Sequence, residues 1–252
     1  MKNDLLRIVS WNIRAGGGRR VDLIAAQIGT WRADVVALSE FRATPPSNVL
    51  RQRLDEQGLR FQLTTVAGCV PISNRVLLAS RWPLIGIRLR AAPVAPGRWC
   101  AAQVGAPRPF AIGAMHVPNR VSGHKDPFHA AVVNLARSWR RGPALLVGDT
   151  NSGRIGLDEE VPCFNKREDG WLAALEQAAW RDGFRHFHGD ERVYTWYSPN
   201  GRNGFRLDQA FINRRLLPRL VDTRYEWALC GDGRERRDTV SDHAALIVDL
   251  EA

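Results

Sequence analysis

Short apolar runs of strand length alternate with amphipathic segments along the chain. Apolar runs of about four to eight residues indicate buried strands, whereas apolar residues spaced three and four apart indicate helices. The alternation predicts a mixed α/β fold. Strands are predicted at residues 5–11, 34–40, 75–80, 110–117, 144–148, 194–197, 206–212 and 244–250, and helices at residues 21–31, 126–140 and 169–180.

Length and cysteine spacing limit how the chain is organised. Its 252 residues can bury a substantial core, and no linker, repeat or low-complexity run divides them, which predicts one domain spanning residues 1–252. The polar start is followed by an apolar segment too short for a membrane span or a signal core. Cys69, Cys100, Cys163 and Cys230 form no CxxC pair, so neither a zinc site nor a disulfide framework is suggested. We therefore expect a reduced, cytoplasmic protein without a membrane anchor.

A formal net charge of +10 points toward a polyanionic partner. Arginine offers a planar, two-pronged donor that suits backbone phosphates. Nearly all of the 36 basic residues are arginine, a bias that a GC-rich coding sequence would also produce. The charge supports a nucleic-acid partner without establishing it. The basic clusters are Arg19-Arg20, Arg140-Arg141, Arg214-Arg215 and Arg234-Glu235-Arg236-Arg237.

Polar side chains stand where the predicted strands end. Groups at strand ends of an α/β sheet commonly converge on one crevice. Taken singly, each has an ordinary structural explanation as a turn former, a solvated strand end or an edge histidine. Together they contain nearly all the groups that hydrolysis of a phosphodiester needs. They are Asn12, Glu40, His116, Asn119, Asp149, Asn151, Asp208, Asp242 and His243.

This set suits the attack of water on a phosphodiester. Oxygen ligands without sulfur favour a hard cation such as Mg²⁺, while amide and imidazole donors can bind phosphate oxygens. A carboxylate can orient or deprotonate the water, so no side-chain nucleophile is required. The sequence contains no Gly-x-Ser-x-Gly elbow, P-loop or dinucleotide fingerprint. The glycine-rich segment at residues 15–20 is predicted to be a flexible loop beside the site.

Seven short motifs in fixed order resemble the endonuclease/exonuclease/phosphatase superfamily. The resemblance implies a four-layer α/β sandwich, with two mixed β-sheets face to face and helices on the outside. It also implies a divalent-metal-dependent phosphoesterase that uses Mg²⁺, with Mn²⁺ as a substitute. The motifs are Ser10-Trp11-Asn12, Leu38-Ser39-Glu40, Leu78-Ala79-Ser80-Arg81-Trp82-Pro83, His116-Val117-Pro118-Asn119, Gly148-Asp149-Thr150-Asn151, Phe205-Arg206-Leu207-Asp208 and Ser241-Asp242-His243.

The same resemblance implies a role for each matched residue. Glu40 would be the principal metal ligand, with Asn12 and Asp242 near the metal. Six further residues would be catalytic. Asp149 and Asn151 would position water and phosphate, and His243, supported by Asp208, would act on the phosphate or as a base. His116 and Asn119 would contact the phosphate.

Within the superfamily, residues 194–197 and 204–208 are most similar to the exonuclease III type of abasic-site endonuclease. In that type the matching aromatic and apolar residues frame a pocket for a base-free sugar, which implies substrate contacts for Trp196, Phe205 and Leu207. Arg206 lies in the same motif and is a further substrate-binding candidate. Aromatic faces also stack on unpaired bases. The alternative is an ordinary strand that packs its aromatics into the core.

The chain departs from the abasic-site pattern at several positions. Arg14 stands where an Asp or Asn is usual, and Ser39 replaces a Gln. His116 replaces a Tyr and resembles the histidine of pancreatic deoxyribonuclease and sphingomyelinase-like relatives. Glu40-Phe41-Arg42 is also similar to the deoxyribonuclease branch, in which the arginine approaches the nucleic-acid backbone. The chain therefore combines signals of two branches.

These observations predict a monomeric Mg²⁺-dependent nuclease that acts on DNA as an endonuclease or exonuclease, with abasic sites and 3′ ends as candidate targets and no protein partner. One alternative is a phosphatase or a lipid or inositol phosphodiesterase of the same superfamily. Another is a catalytically inactive nucleic-acid-binding module. The carboxylates disfavour the last alternative, because without a metal they would repel phosphate.

Overall fold

The computed structural model describes residues 5–89, 93, 95–200, 202–229 and 239–252. Cys230 and the basic cluster at residues 234–237 lie outside the described residues, as do residues 1–4. In chain order the elements are β1 (Leu5–Asn12), α1 (Val21–Thr30), β2 (Val35–Phe41), α2 (Pro45–Glu56), β3 (Phe61–Thr64), β4 (Arg75–Ser80), β5 (Leu84–Gly86), β6 (Trp99–Val104), β7 (Phe110–His116), α3 (Lys125–Ser138), β8 (Ala144–Asp149), α4 (Lys166–Gln177), β9 (Trp180–Asp182), α5 (Gly183–His188), β10 (Trp196–Tyr197), β11 (Gly204–Phe205), β12 (Asp208–Asn213), β13 (Leu220–Glu226) and β14 (Ala245–Glu251).

Most of the predicted elements are present within a few residues of their expected bounds. The strand predicted at 194–197 is reduced to the two residues of β10. The sequence patterns missed α2, α5, the longer strands β6 and β13, and the short strands β3, β5, β9 and β11. Helix α2 was missed because its Pro45-Pro46 start looks like a break, although proline is well tolerated in a first helical turn. None of the helices in the described ranges is long and apolar enough to cross a membrane.

Two six-stranded sheets form the centre of the molecule. Their strand orders are β13-β14-β1-β2-β4-β3 and β5-β6-β7-β8-β12-β9. Each sheet contains one parallel pair, β1 with β2 and β7 with β8, and the other pairings are antiparallel. Both sheets are therefore mixed. The parallel pairs bring the carboxyl ends of β1 and β2 together in one sheet, and those of β7 and β8 together in the other.

The two sheets pack face to face with helices on both outer sides. Ile8 and Val35 of the first sheet share a buried cluster with Ile112 and Val147 of the second. A second cluster joins the first sheet to α1 and α2, and a third joins the other sheet to α3 and α4. Strands buried on both faces explain why the sequence shows continuous apolar runs. The predicted four-layer α/β sandwich is confirmed.

A buried histidine lies between α3 and α4. The His129 ring stacks on Trp171 with centroids 4.2 Å apart, and its Nε2 lies 3.1 Å from Ser152 Oγ. The pKa of His129 is lowered to about 4, mainly by burial and in smaller part by the nearby Lys125 ammonium. The folded protein therefore holds this ring in the neutral form at neutral pH.

His129 is expected to make the fold sensitive to mild acid. Its pKa is lower in the folded than in the unfolded chain, so its contribution to stability is present above pH 6.5 and is lost as pH falls toward 4. Between pH 7 and pH 5 the free energy of unfolding should fall by about 2 kcal/mol more in the wild type than in His129→Gln. Urea unfolding at the two pH values measures the difference. The exposed His124→Gln variant should behave as the wild type, and equal losses in all three proteins would contradict the prediction.

Candidate active site

The strand ends of the two sheets meet through Asn12 and Asp149. Asn12 ends β1 and donates through Nδ2 to Asp149 Oδ2, at the end of β8, over 3.0 Å. His116 ends β7, and its Nε2 lies 3.7 Å from the same Asp149 oxygen. All three side chains are buried. The structure therefore brings polar residues from both sheets to one edge of the sandwich.

Gly148 allows β7 and β8 to approach closely at this edge. It lies opposite Met115 in the parallel pairing and has a φ of 146°. A Cβ at position 148 would lie 1.8 Å from the Met115 carbonyl oxygen, a collision that only glycine avoids. The next residues in the two strands are His116 and Asp149, which are therefore paired side by side. The glycine of the Gly-Asp motif has a direct structural purpose.

Glu40 sits in a strained backbone conformation beside them. Its φ is 58°, and the pairing of β2 with β4 shifts register between Ser39 and Phe41. Such a bulge redirects a side chain and is typical of functional sites. The Glu40 carboxylate accepts from Asn12 Nδ2 at 3.5 Å and from the Ala15 backbone N–H at 2.7 Å. The half-buried carboxylate is thereby turned toward Asn12 and the site.

The glycine-rich segment beside Glu40 is ordered by hydrogen bonds. The Gly16 N–H donates to the Glu40 carbonyl over 2.8 Å, and a 3₁₀-helix follows at Gly18–Arg20. Gly16 has a φ of 73°, and a Cβ there would lie 2.9 Å from Arg42 Cβ. The segment therefore lies beside the site, and its Ala15 N–H contacts the Glu40 carboxylate.

Asp208 and His243 form a second buried pair at the same edge. Asp208 begins β12 directly opposite Asp149 of β8. Its Oδ2 accepts from His243 Nδ1 over 2.9 Å, whereas its Oδ1 is buried without a hydrogen-bond partner in the described part of the chain. Ser241 Oγ donates to the Asn12 carbonyl over 2.5 Å, which ties the Ser-Asp-His segment to β1. The histidine is thus oriented from two sides.

The pKa values of the two site histidines, His116 and His243, are shifted in opposite directions. Burial opposes the charged form of His243, but the carboxylates of Asp208, Asp149 and Asp242 raise its pKa to about 9. Burial, with smaller contributions from Arg98 and His243, lowers the pKa of His116 well below its usual value. At neutral pH His243 therefore favours the imidazolium and His116 the neutral ring. A charged His243 suits contact with phosphate better than the role of a base.

Asp149 also has a perturbed proton affinity. Burial raises the pKa of its carboxyl to about 6; the His243 charge opposes this rise, and the nearby Asp208 carboxylate adds to it. Its two oxygens accept from Asn12 Nδ2 and from the Asn151 N–H at 2.9 Å. A carboxylate with raised proton affinity, fixed by two donors, is suited to accept a proton from water.

Asn151 is held in place by residues that the sequence analysis did not identify. Its φ is 47°, its Nδ2 donates to the Val117 carbonyl at 2.8 Å, and its own carbonyl accepts from the buried Lys125 Nζ. Lys125 also pairs with the buried Glu168, which accepts from Arg120. Lys125 lies at the start of a predicted helix, where a lysine usually indicates nothing more than a solvated turn.

The predicted substrate-binding residues are only partly gathered near the site. Trp196 is half-buried, its ring centroid lies 6.2 Å from that of His243, and its Nε1 donates to Asp242 Oδ2 at 3.3 Å. Phe205 and Leu207 are each only 7% exposed. The pattern that suggested a substrate pocket therefore also serves the core. In the loop after β2, Arg42 donates through Nε to Asn74 Oδ1. Asn119 follows β7 in the chain and is exposed.

Arg206 does not face a substrate, which corrects its prediction as a substrate-binding residue. It is fully buried and donates to both carboxylate oxygens of Asp158 and of Asp182. A buried guanidinium needs such complete pairing, because an unpaired charge in the interior is very costly. Arg206 also donates to the Tyr225 hydroxyl, which in turn donates to the Asp208 carbonyl over 2.6 Å. Arg206 therefore supports the backbone of Asp208 through the Tyr225 hydroxyl.

The residues near Glu40 suit a hard cation with few protein ligands. Within the described ranges, no three His, Cys, Asp or Glu side chains are grouped so that they could hold a metal ion. Asn12 turns its amide nitrogen to the carboxylates while its Oδ1 accepts the Arg14 N–H at 3.0 Å. Asn12 thus lies beside Glu40, where the resemblance implies a metal. Asp242 lies 3.9 Å from Arg14 Nε. Mg²⁺ commonly keeps several waters and binds one or two carboxylates, which Glu40 can provide.

Comparisons with known proteins show which family and which fold the chain is similar to. The family model of the Endonuclease/Exonuclease/phosphatase family matches residues 9–243. The fold is similar to that of a 3′-5′ exonuclease, NExo, from Neisseria meningitidis, with a TM-score of 0.80 and 20% identity over 98% of this chain and all of that one. It is equally similar to an AP endonuclease from Archaeoglobus fulgidus, with a TM-score of 0.80 and 18% identity over the same shares.

A curated relative gives a shorter sequence match. An exodeoxyribonuclease of Streptococcus pneumoniae is 28% identical over 102 residues, which cover 34% of this chain and 37% of that protein. The match therefore spans little more than a third of the relative. The family match is far more extensive, since it runs from β1 through His243 and includes each of the polar strand ends described above. On that basis the chain belongs to the Endonuclease/Exonuclease/phosphatase family.

Proposed function

We propose that the chain is a divalent-metal-dependent phosphodiesterase that acts on DNA. One observation carries the proposal. The carboxylates of Glu40 and Asp149, both bonded to Asn12, lie at the same edge as the Asp208–His243 pair. The net charge of +10 supports a nucleic-acid substrate. So do the relatives: one structure is described as the 3′ phosphatase NExo from Neisseria bound to product DNA hairpin, at 20% identity and a TM-score of 0.79.

The side chains of this edge can divide the work of hydrolysis. Asp149, fixed by Asn12 and Asn151, would take the proton from the attacking water. His243, charged through Asp208, would bind a phosphate oxygen on which negative charge develops. These contacts would position the water and the phosphate, so that the reaction needs no covalent intermediate with a side chain.

Glu40 would hold the metal, with Asp242 as a further candidate near it. Mg²⁺, or Mn²⁺ in its place, would neutralise negative charge that develops on the phosphate and the leaving oxygen. The absence of a cationic side chain bonded to Glu40 among the described residues supports this role, because the carboxylate accepts only from the amide of Asn12 and the Ala15 N–H. The bulge at Glu40 would keep the ligand in position before the metal binds.

Trp196 is the best-placed candidate for recognition of an unpaired or base-free nucleotide. Its side chain is partly exposed, and its ring centroid lies 6.2 Å from that of His243. Phe205 would back this ring, since their centroids are 5.9 Å apart, and Leu207 would contribute to the same wall. Arg42 and Asn119 would contact the phosphate backbone at the margins. We place this activity in a monomer in the cytoplasm. The free thiols of Cys69, Cys100 and Cys163 suit a reducing compartment.

A substrate panel tests the proposed reaction. End-labelled DNA and RNA would be offered as single strands, intact duplexes, abasic duplexes and duplexes with a 3′ phosphate, with titration of Mg²⁺ and Mn²⁺. We expect metal-dependent cleavage of DNA and little turnover of sphingomyelin or inositol phosphates. Salt-dependent DNA binding with no cleavage at any metal concentration would instead indicate an inactive binding module. Preferred turnover of the lipid or inositol substrates would indicate the other branch of the family.

Glu40→Gln is expected to weaken Mn²⁺ binding at least about tenfold, because outer-shell changes alone commonly have effects of that size. Titration of Mn²⁺ followed by electron paramagnetic resonance measures this without substrate. Glu56→Gln, at an exposed position on α2, is the matched control and should bind Mn²⁺ as the wild type does. Unchanged Mn²⁺ affinity in Glu40→Gln would show that the metal is held elsewhere.

A further inference from the structure

Arg98 contacts a site histidine in a way that determines where the ring carries its proton. One guanidinium nitrogen of Arg98 lies 3.1 Å from His116 Nδ1. A guanidinium has no acceptor, so in this contact Nδ1 must accept. The proton of the ring is then on Nε2, which lies 3.7 Å from Asp149 Oδ2. His116 therefore presents an N–H group to the site.

The charged groups around His116 oppose a second proton. Arg98 faces it from the segment before β6, Asp149 from β8 and His243 from the segment before β14. The ring is only 4% exposed. Protonation of Nδ1 would require Arg98 to withdraw, because a guanidinium cannot accept a hydrogen bond from the ring. Asp149 is the one adjacent carboxylate on the described elements that would favour it.

The segment that carries Arg98 is itself anchored. A short 3₁₀-helix at Pro96–Arg98 precedes β6. Thr65 Oγ1 donates to the Gly97 carbonyl over 2.7 Å, which ties this segment to the neighbouring sheet. Arg75 packs against Gly97 so closely that a Cβ at position 97 would lie 1.5 Å from its Nη1. The Arg98 side chain is half-buried. Its approach to His116 thus follows from packing on both sides.

We propose that Arg98 is a positioning residue that holds His116 as a neutral ring with its proton on Nε2, so that His116 donates a hydrogen bond to a phosphate oxygen and does not donate a proton. The inference rests on the proposed function and adds that the imidazoles of His116 and His243 have different roles in it. The Nδ1 of His243 lies against the Asp208 carboxylate, whereas the Nδ1 of His116 lies against the Arg98 guanidinium. Environments that separate the proton affinities of two like groups commonly assign them different roles.

Nitrogen-15 NMR of histidine-labelled full-length protein tests the tautomer without any substrate. In the wild type, the His116 signals, identified by their loss in His116→Gln, should show a neutral ring protonated on Nε2 from pH 5 to pH 8. In Arg98→Glu the carboxylate should accept from Nδ1 and give an imidazolium at neutral pH. Arg98→Lys keeps a donor and should preserve the wild-type pattern. A wild-type ring that is protonated on Nδ1, or that titrates near pH 6.5, would overturn the proposal.

A pair of substitutions at His116 separates hydrogen-bond donation from proton donation. The amide nitrogen of glutamine can stand near the position of Nε2 and donate, whereas leucine cannot. His116→Gln should therefore retain at least about tenfold more kcat than His116→Leu on the best DNA substrate. Equal loss in both folded variants would indicate that the ring must transfer a proton. If no substrate is cleaved by the wild type, the proposed function fails while the NMR result still decides the tautomer.

Discussion

Asp149→Asn is expected to lower kcat by about 10³-fold on the DNA substrate that the wild type cleaves best. The amide cannot take the proton of the attacking water. It also disturbs the local hydrogen bonds, because Asn12 Nδ2 and the Asn151 N–H both donate to the carboxylate, and an amide offers them only one acceptor oxygen. Single-turnover cleavage at saturating protein and metal measures the chemical step.

The matched control is Asp126→Asn. Asp126 is exposed and pairs on the surface with Arg167, and such a pair contributes little. Its kcat should equal that of the wild type. Far-ultraviolet circular dichroism would confirm that both variants fold. A folded Asp149→Asn variant that cleaves within a few-fold of the wild type would remove Asp149 from the role of proton acceptor.

Asp208→Asn is expected to lower kcat at least about 100-fold, because its carboxylate both orients His243 and maintains its charge. Without that carboxylate, burial would lower the pKa of His243, and the ring would lose its positive charge near neutral pH. The substituted amide would also place a donor where the buried Asp208 Oδ1 has no partner among the described residues, at a cost of about 1–3 kcal/mol in stability.

Tyr225→Phe separates these two effects. It removes the hydroxyl that donates to the Asp208 carbonyl but leaves the carboxylate and His243 in place. We expect a loss of stability with a decrease in kcat smaller than tenfold. Urea unfolding and single-turnover rates, measured on both variants, give the comparison. If Tyr225→Phe lost as much kcat as Asp208→Asn at equal stability, the effect of Asp208 would be structural.

The sequence patterns predicted the fold class and most of the central strands. Parallel strands buried on both faces give continuous apolar runs, which explains why β1, β2, β7 and β8 were recognised. Short edge strands such as β5 and β9 carry too few residues for a pattern. The elements that carry the site were therefore predicted better than those at the periphery, since they are the most buried.

The site residues at strand ends were also predicted, but not the side chains that support them. Arg98 contacts His116, and Lys125 donates to the Asn151 carbonyl. Each lies well before its partner in the sequence, and neither lies in a motif. Arg206 was misassigned because it stands inside a motif beside Asp208. The order of residues does not show whether an arginine there points to solvent or to buried carboxylates.

The sequence by itself determined which chemical groups are available and that they stand at strand ends, because apolar periodicity specifies strands and their limits. Only the tertiary structure decided which of these groups contact one another and how deeply each is buried. The two sheets place Asn12 and Asp149 in contact across 137 positions of chain, and packing shifts the pKa values of His116 and His243 in opposite directions. Proton affinity depends on burial and on neighbouring charges, and these are properties of the folded arrangement.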